Sequence, residues 1–124
     1  MKSEMDSIAK LLSEVEPKIR YVAVNQNGVI REMEQFHATF NPSDTDRMEE
    51  LVVNPVILEA ASRRGNLDLD GVRYVLICYG LQYQVIIPYR EGHVSIGINL
   101  SDDPIEIAEK ITGYLALQPA DSAV

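Results

Sequence analysis

The chain has no tryptophan, two phenylalanines and a single cysteine, Cys78, in 124 residues. One cysteine excludes an internal disulfide and any cysteine-rich zinc site. Positive charge is scarce as well: 11 Lys and Arg stand against 19 Asp and Glu, a formal net charge of −8. Binding to a phosphate backbone needs clustered positive charge, so no nucleic-acid partner is expected. The one adjacent basic pair, Arg63-Arg64, reads as charge at a helix C-terminus. No apolar stretch reaches the roughly 18 residues of a membrane span, because Arg90-Glu91-Gly92-His93 interrupts the longest region. Acidic residues run through the N-terminal MKSEMDSIAKLLSEVE, where a signal peptide would have an apolar block. A cytoplasmic protein without membrane insertion is expected. The motifs GxxxxGK(S/T), GxSxG, HExxH and CxxC are also missing, which removes the common nucleotide, hydrolase, metalloprotease and redox signatures.

What is present is an ordinary globular composition, 46% apolar and 24% charged, in a length suited to one domain. The chain is organised around 72–100, where three Val-, Ile- and Tyr-rich runs lie almost end to end. Gly80-Leu81-Gln82 and Arg90-Glu91-Gly92 separate them. Such short breaks permit only antiparallel returns, so strands are expected at 72–79, 83–89 and 94–100. Two more are expected at 19–25 and 29–36, joined by Asn27-Gly28, a strong hairpin signal. The first of this pair is apolar on both faces and should be central. The second mixes charge into both faces and suits an edge.

Helical spacing of Met5, Ile8, Leu12 and Val15 predicts a helix over 3–15, with Ser3 and Asp6 as a capping pair and Pro17 as the stop. After a loop at 37–43, Ser43 with Asp46 predicts the start of a second helix that ends near Arg64, before Gly65-Asn66. Pro55 either kinks this helix or splits it, with Asn54 as a new cap. A last helix is capped by Ser101 or Asp102, with Pro104 in its first turn and Ile105, Ala108, Ile111 and Leu115 as its stripe. These elements make one α/β domain of the α+β type over 1–117, with five antiparallel strands, helices on both faces and a flexible tail at 118–124.

Candidate chemistry is thin. His37 and His93 fall in a loop and beside a hairpin turn and read as surface residues; a metal site would need both plus a carboxylate such as Glu91. Cys78 lies among apolar strand residues and reads as a small hydrophobe. The tyrosines read as packing residues. Glu49-Glu50 and Asp102-Asp103 read as helix-start carboxylates favouring the helix dipole. No metal, cofactor or catalytic centre is expected.

The order of helix, hairpin, long helix, three-strand meander and helix resembles the roadblock/dynein light chain family, part of the roadblock–longin group. The likeness is carried by Ile19–Val24 with Asn25-Gln26-Asn27-Gly28, and by Val72–Leu100 followed by Ser101-Asp102-Asp103-Pro104. It covers residues 3–117, and small archaeal proteins of unknown function look similar. Pro55 departs from the pattern, since the family usually keeps its second helix continuous. The resemblance implies a sheet ordered 2-1-5-4-3, with profilin-like layering: the first and last helices on one face and the second on the other. It also implies dimers formed through third strands and second helices, and roles as regulators or scaffolds, often of small Ras-like GTPases.

Two features of the residues point the same way. The second helix has more apolar positions than one sheet contact uses: if Leu51, Val52 and Leu58 face the sheet, Met48, Val56 and others remain. The third strand carries only Arg73 to discourage pairing at its edge. A homodimer interface is therefore expected at Met48, Leu51, Val52, Val56, Val72, Tyr74, Leu76 and Cys78. The function expected is that of a non-enzymatic regulator or scaffold with a protein partner, such as a small Ras-like GTPase. The alternative is a small-molecule sensor of PAS- or profilin-like shape, with Gln82, Gln84 and Asn99 pointing into a pocket between helix and meander.

Overall fold

The computed structural model describes residues 7–36 and 44–118. Helix α1 (Ile8–Val15) leads into β1 (Ile19–Gln26) and β2 (Val29–Gln35). A long helix, α2, then occupies 44–68, followed by β3 (Val75–Cys78), β4 (Tyr83–Tyr89), β5 (Gly92–Ile98) and α3 (Pro104–Ala116). The five strands form one antiparallel sheet in the order β2-β1-β5-β4-β3. The expected Ser3 cap and the 37–43 loop, with His37 and Ser43, lie outside the described residues, as do 119–124.

The Asn27-Gly28 turn is as expected, with both residues at positive φ, 54° and 78°. Strand alternation then sorts the sheet into two chemically different faces. Val22 and Val24 of β1, Val85 and Ile87 of β4, and Val94, Ile96 and Ile98 of β5 pack into a single core with Leu12 of α1 and Ile107, Ala108, Ile111 and Leu115 of α3. The other face, beneath α2, carries Tyr21, Ala23 and Asn25 of β1 alongside His93, Ser95 and Gly97 of β5.

Several boundaries differ from expectation for identifiable reasons. The third strand is Val75–Cys78 and not 72–79. Its register, Val75 opposite Ile86, would bring Arg73 to Pro88, which has no N–H to donate, so pairing ends before it. β5 begins at Gly92 and ends at Ile98. The last helix is capped by Asp103, not by Ser101 or Asp102: its carboxylate accepts from the N–H groups of Ile105 (3.0 Å) and Glu106 (3.2 Å). Pro104 suits the first helical position, which makes the preceding residue the cap. Ile105 is exposed, and Ile107 replaces it in the buried stripe.

Helix α1 is capped from a distance. Ser7 accepts from the Lys10 N–H while donating its hydroxyl to Glu32 of β2 (2.8 Å). The same Glu32 carboxylate accepts from the N–H groups of Ile8 (3.1 Å) and Ala9 (2.9 Å). At the other end, Glu16 is buried and paired with Lys110 of α3 at 3.1 Å. Burial pushes its carboxyl up, but the Lys18 N–H and the Lys110 ammonium outweigh this and hold it below the ordinary value.

Among the glycines, Gly92 is where an added Cβ would come nearest to another strand's backbone. A Cβ there would stand 1.8 Å from the Asn25 carbonyl oxygen, a backbone atom that cannot swing aside. Gly92→Ala should therefore destabilise the fold by about 3 kcal/mol, at the upper end of the range for overpacking. Urea unfolding measures this directly, and a loss under about 1 kcal/mol would show that the two strands can move apart cheaply.

Candidate functional site

The interest of the molecule centres on α2, which is continuous but not uniform. Asp44–Met48 is α-helical, Glu49–Val53 is a single π-turn, and Asn54–Asp68 is α-helical again. Pro55 neither splits the helix nor ends it. In an α-helix its ring would meet the carbonyl of residue 51, four positions back. The wider turn, in which the Asn54 N–H bonds to the Glu49 carbonyl, relieves that conflict. The helix also runs past the expected stop at Arg64, because Gly65 is a contact and not a terminus. Its carbonyl accepts from both Leu69 (2.9 Å) and Gly71 (3.1 Å) as the chain reverses, and a Cβ at Gly65 would lie 2.9 Å from the Gly71 oxygen.

The helix turns its acid inward. Glu50 and Asn54 are fully buried against the sheet, whereas Met48, Leu51, Val52 and Val56 are 55%, 46%, 54% and 63% exposed. Leu51 and Val52 thus face away from the sheet. The cause lies in the strand face below. Tyr21 donates to Glu50 Oε2 at 2.8 Å, and Ser95 donates to the same oxygen at 2.5 Å. Asn54 Nδ2 donates to Oε1 at 3.1 Å, and His93 Nε2 lies 2.8 Å from that oxygen. The His93 contact is a hydrogen bond when Nε2 carries the proton and an ion pair when the ring is charged. Asn25 adds a bond to the Glu50 backbone carbonyl at 3.2 Å. These groups need an acceptor in a dry layer, and only a carboxylate can serve so many at once.

His93 is therefore a core residue rather than a surface one, and Glu50 is a buried acceptor rather than a helix-start charge. A serine, a histidine and a carboxylate stand together here, yet the carboxylate binds both others and all three are shut away from solvent. Burial with the phenol donating to Glu50 pushes the Tyr21 ionisation far above its ordinary value. The arrangement suits holding α2 in one register on the sheet. Among the described residues no group of three or more His, Cys, Asp or Glu could hold a metal ion.

The remaining interface candidates fall on or near β3. It is an edge strand, paired only to β4 among the described residues. Tyr74 and Leu76 are half-buried against the α1–α3 core, and Tyr74 donates to Glu109 of α3 at 3.0 Å. Val72 is half-buried beside the Gly65 reversal. Cys78 is exposed at the strand end, not packed as a core hydrophobe.

A cleft of about 250 Å³ opens between the first turns of α2 and the sheet. Gln82 and Gln84 both line it, as their sequence positions suggested, with Tyr21, Asp46, Glu49 and Tyr79 among the other walls. Asn99 does not take part; it accepts from Arg20 at 2.6 Å. Tyr79 donates to both Glu49 oxygens, at 3.0 and 3.2 Å. Burial above all, with the nearby Glu50 and Asp46 charges, nevertheless holds the Glu49 carboxyl above its ordinary value.

No family profile matches the chain, and no curated protein matches it by sequence. Solved structures do match by fold. "MglB with tetrameric arrangement" aligns over 93% of this chain and 85% of its own, at 11% identity and a TM-score of 0.65. A Roadblock/LC7 domain from Streptomyces avermitilis aligns over 86% and 90%, at 12% identity and a TM-score of 0.63. The gliding protein MglB of Thermus thermophilus aligns over 89% of each chain, at 9% identity and a TM-score of 0.60. Strand order, helix placement and these alignments agree: the chain has the roadblock fold.

Proposed function

We propose that the chain works as a homodimer without catalytic activity, a regulator or scaffold that engages another protein through a roadblock domain spanning residues 1–117. The observation that carries this reading is the inversion of α2, which buries Glu50 and Asn54 and leaves Met48, Leu51, Val52 and Val56 in water. Soluble chains avoid contiguous apolar patches unless a partner covers them. Here the patch lies on an element that the roadblock resemblance assigns to dimerisation, as it does the open edge of β3. A second copy would cover both by two-fold symmetry. The same resemblance suggests a small Ras-like GTPase as the partner class.

Sedimentation equilibrium at micromolar concentration, run alone and with a purified GTP-loaded small Ras-like GTPase from the same source, tests both levels. Alone, the chain should sediment at twice its 13.9 kDa mass; with the GTPase, a heavier complex should form. A well-behaved monomer would sink the dimer, and a dimer unaffected by the GTPase would remove that partner class.

A further inference from the structure

We infer that the cleft beneath the first turns of α2 is a binding site for a small organic cation, a guanidinium or ammonium head group. The first observation is an unsatisfied amide. Gln84 is 2% exposed and lines the cleft, yet its Nε2 has no hydrogen-bond partner. Its Oε1 accepts from Gln82 Nε2 at 3.1 Å. Turning both amides over preserves that bond and presents the Gln84 oxygen at the orphan position instead, so the cleft can offer either a donor or an acceptor. Buried polar groups are almost always satisfied, and a native orphan calls for something to pair with it.

The second observation is charge. Asp46 and Glu49 line the same cleft, and Glu50 accepts from its Tyr21 wall. Glu49 is held above its ordinary ionisation range chiefly by burial, a condition that an entering positive charge would relieve. The walls add Tyr21 and Tyr79, whose ring faces attract cations. A metal ion fits poorly, since no described cluster supplies three ligating side chains. A planar or tetrahedral organic cation carries only donors and needs spread acceptors and ring faces, and the carboxylates, an amide oxygen and the tyrosine rings are what the cleft has.

Room for the ligand comes from the sheet itself. Across the strands the register aligns Gln35, Tyr21, Gly97 and Gln84 in one row. A Cβ on Gly97 would meet the Tyr21 Cβ at 3.1 Å and the Gln82 amide at 3.5 Å, so glycine there leaves space for the amide pair. A larger groove of about 590 Å³ lies at the other end of α2, beside Gly65 and Gly71. None of the buried unpaired polar atoms belongs to its lining, so it carries no comparable demand for a ligand.

The cleft is built within one chain, so its test stands apart from that of the dimer. Isotope-labelled full-length protein is titrated with methylguanidinium chloride while the Gln82 and Gln84 side-chain amide signals are followed by NMR. Their shifts should saturate with a dissociation constant on the order of 1 mM or tighter. N-methylurea, the neutral isostere, and sodium chloride at matched ionic strength should leave both signals in place. Glu49→Gln and Asp46→Asn should each weaken binding by about tenfold or more, because each removes one facing carboxylate. Unchanged melting temperatures verify that the variants are folded, and either variant alone suffices. Nα-acetyl-arginine methylamide presents the same head group on a peptide. Saturation by it as well identifies a side chain offered by a partner as a source; saturation by methylguanidinium alone identifies a free small cation. No saturable shift, an equal response to methylurea, or undiminished binding in a folded variant would overturn the inference.

Discussion

Glu50→Ala should cost the fold about 3–5 kcal/mol, the range for removing one partner from a buried, hydrogen-bonded polar cluster. The loss has two parts. The Tyr21 and Ser95 hydroxyls, the Asn54 amide and His93 Nε2 all lose their acceptor, in a layer that water does not reach. A cavity also opens where the carboxylate was. For a domain of this size, about 3–5 °C of melting temperature is lost per kcal/mol, so a drop of roughly 10–20 °C is expected. Glu50→Gln keeps the shape and one acceptor but sets an NH2 group against two of the four contacts, whichever oxygen it replaces, so about half that loss is expected. The phenol offers a second readout. Its raised ionisation in the folded state means its contribution is fully present below pH 10, the ordinary tyrosine value, and fades only as pH rises beyond it. Absorbance titration of the native chain should therefore show Tyr21 missing from the ordinary tyrosine transition and returning to it in Glu50→Ala. Loss of less than about 1 kcal/mol in that variant would show that the cluster contributes nothing net.

Leu51→Glu combined with Val56→Glu should convert the dimer to a monomer without unfolding it. Both side chains are about half exposed or more in the single chain, so the monomer loses little when they change. In a two-fold dimer each change counts twice, and each apolar side chain withdrawn from water contributes roughly 1.5–3 kcal/mol. Removing four such contacts and bringing like charges together should weaken association by more than about a thousandfold. Leu81→Glu is the control. Leu81 is 92% exposed but belongs to the β3–β4 turn and not to α2. It should sediment like the parent chain. A double variant that remains a dimer would place the interface elsewhere.

Much of this architecture is legible in the residues alone. The meander follows from short polar breaks between β-branched runs, the first hairpin from Asn27-Gly28, and the edge position of β2 from its charges. The orientation of α2 is harder to read, because its apolar positions cover more than one face and periodicity alone does not say which of them meets the sheet. The signal that decides otherwise lies in the strands. Tyr21 and Asn25 share one parity of β1, while Val22 and Val24 share the other. His93 and Ser95 likewise oppose Val94 and Ile96 in β5. Two neighbouring strands with one polar parity each must align those parities on one face, and that face then requires an acceptor from whatever covers it. Glu50 is the inward-facing acid that meets the demand. The length of β3 is less legible, since it depends on a register that sets Arg73 opposite Pro88. The cleft shows in the sequence only as Gln82 and Gln84; Asp46 and Glu49 join them through the docking of α2.

The carboxylate of Glu32 also orders events in time. Helix α1 has eight residues, too few to persist alone in water. The acceptor for its first N–H groups lies 24 and 23 residues further along the chain. During synthesis that distance corresponds to about one to five seconds in which the segment is out but lacks its anchor. This helix, the first among the described residues, is thus completed only after the hairpin behind it has closed. The N-terminal segment waits as an apolar strip that the nascent chain must keep from other surfaces until residue 32 emerges.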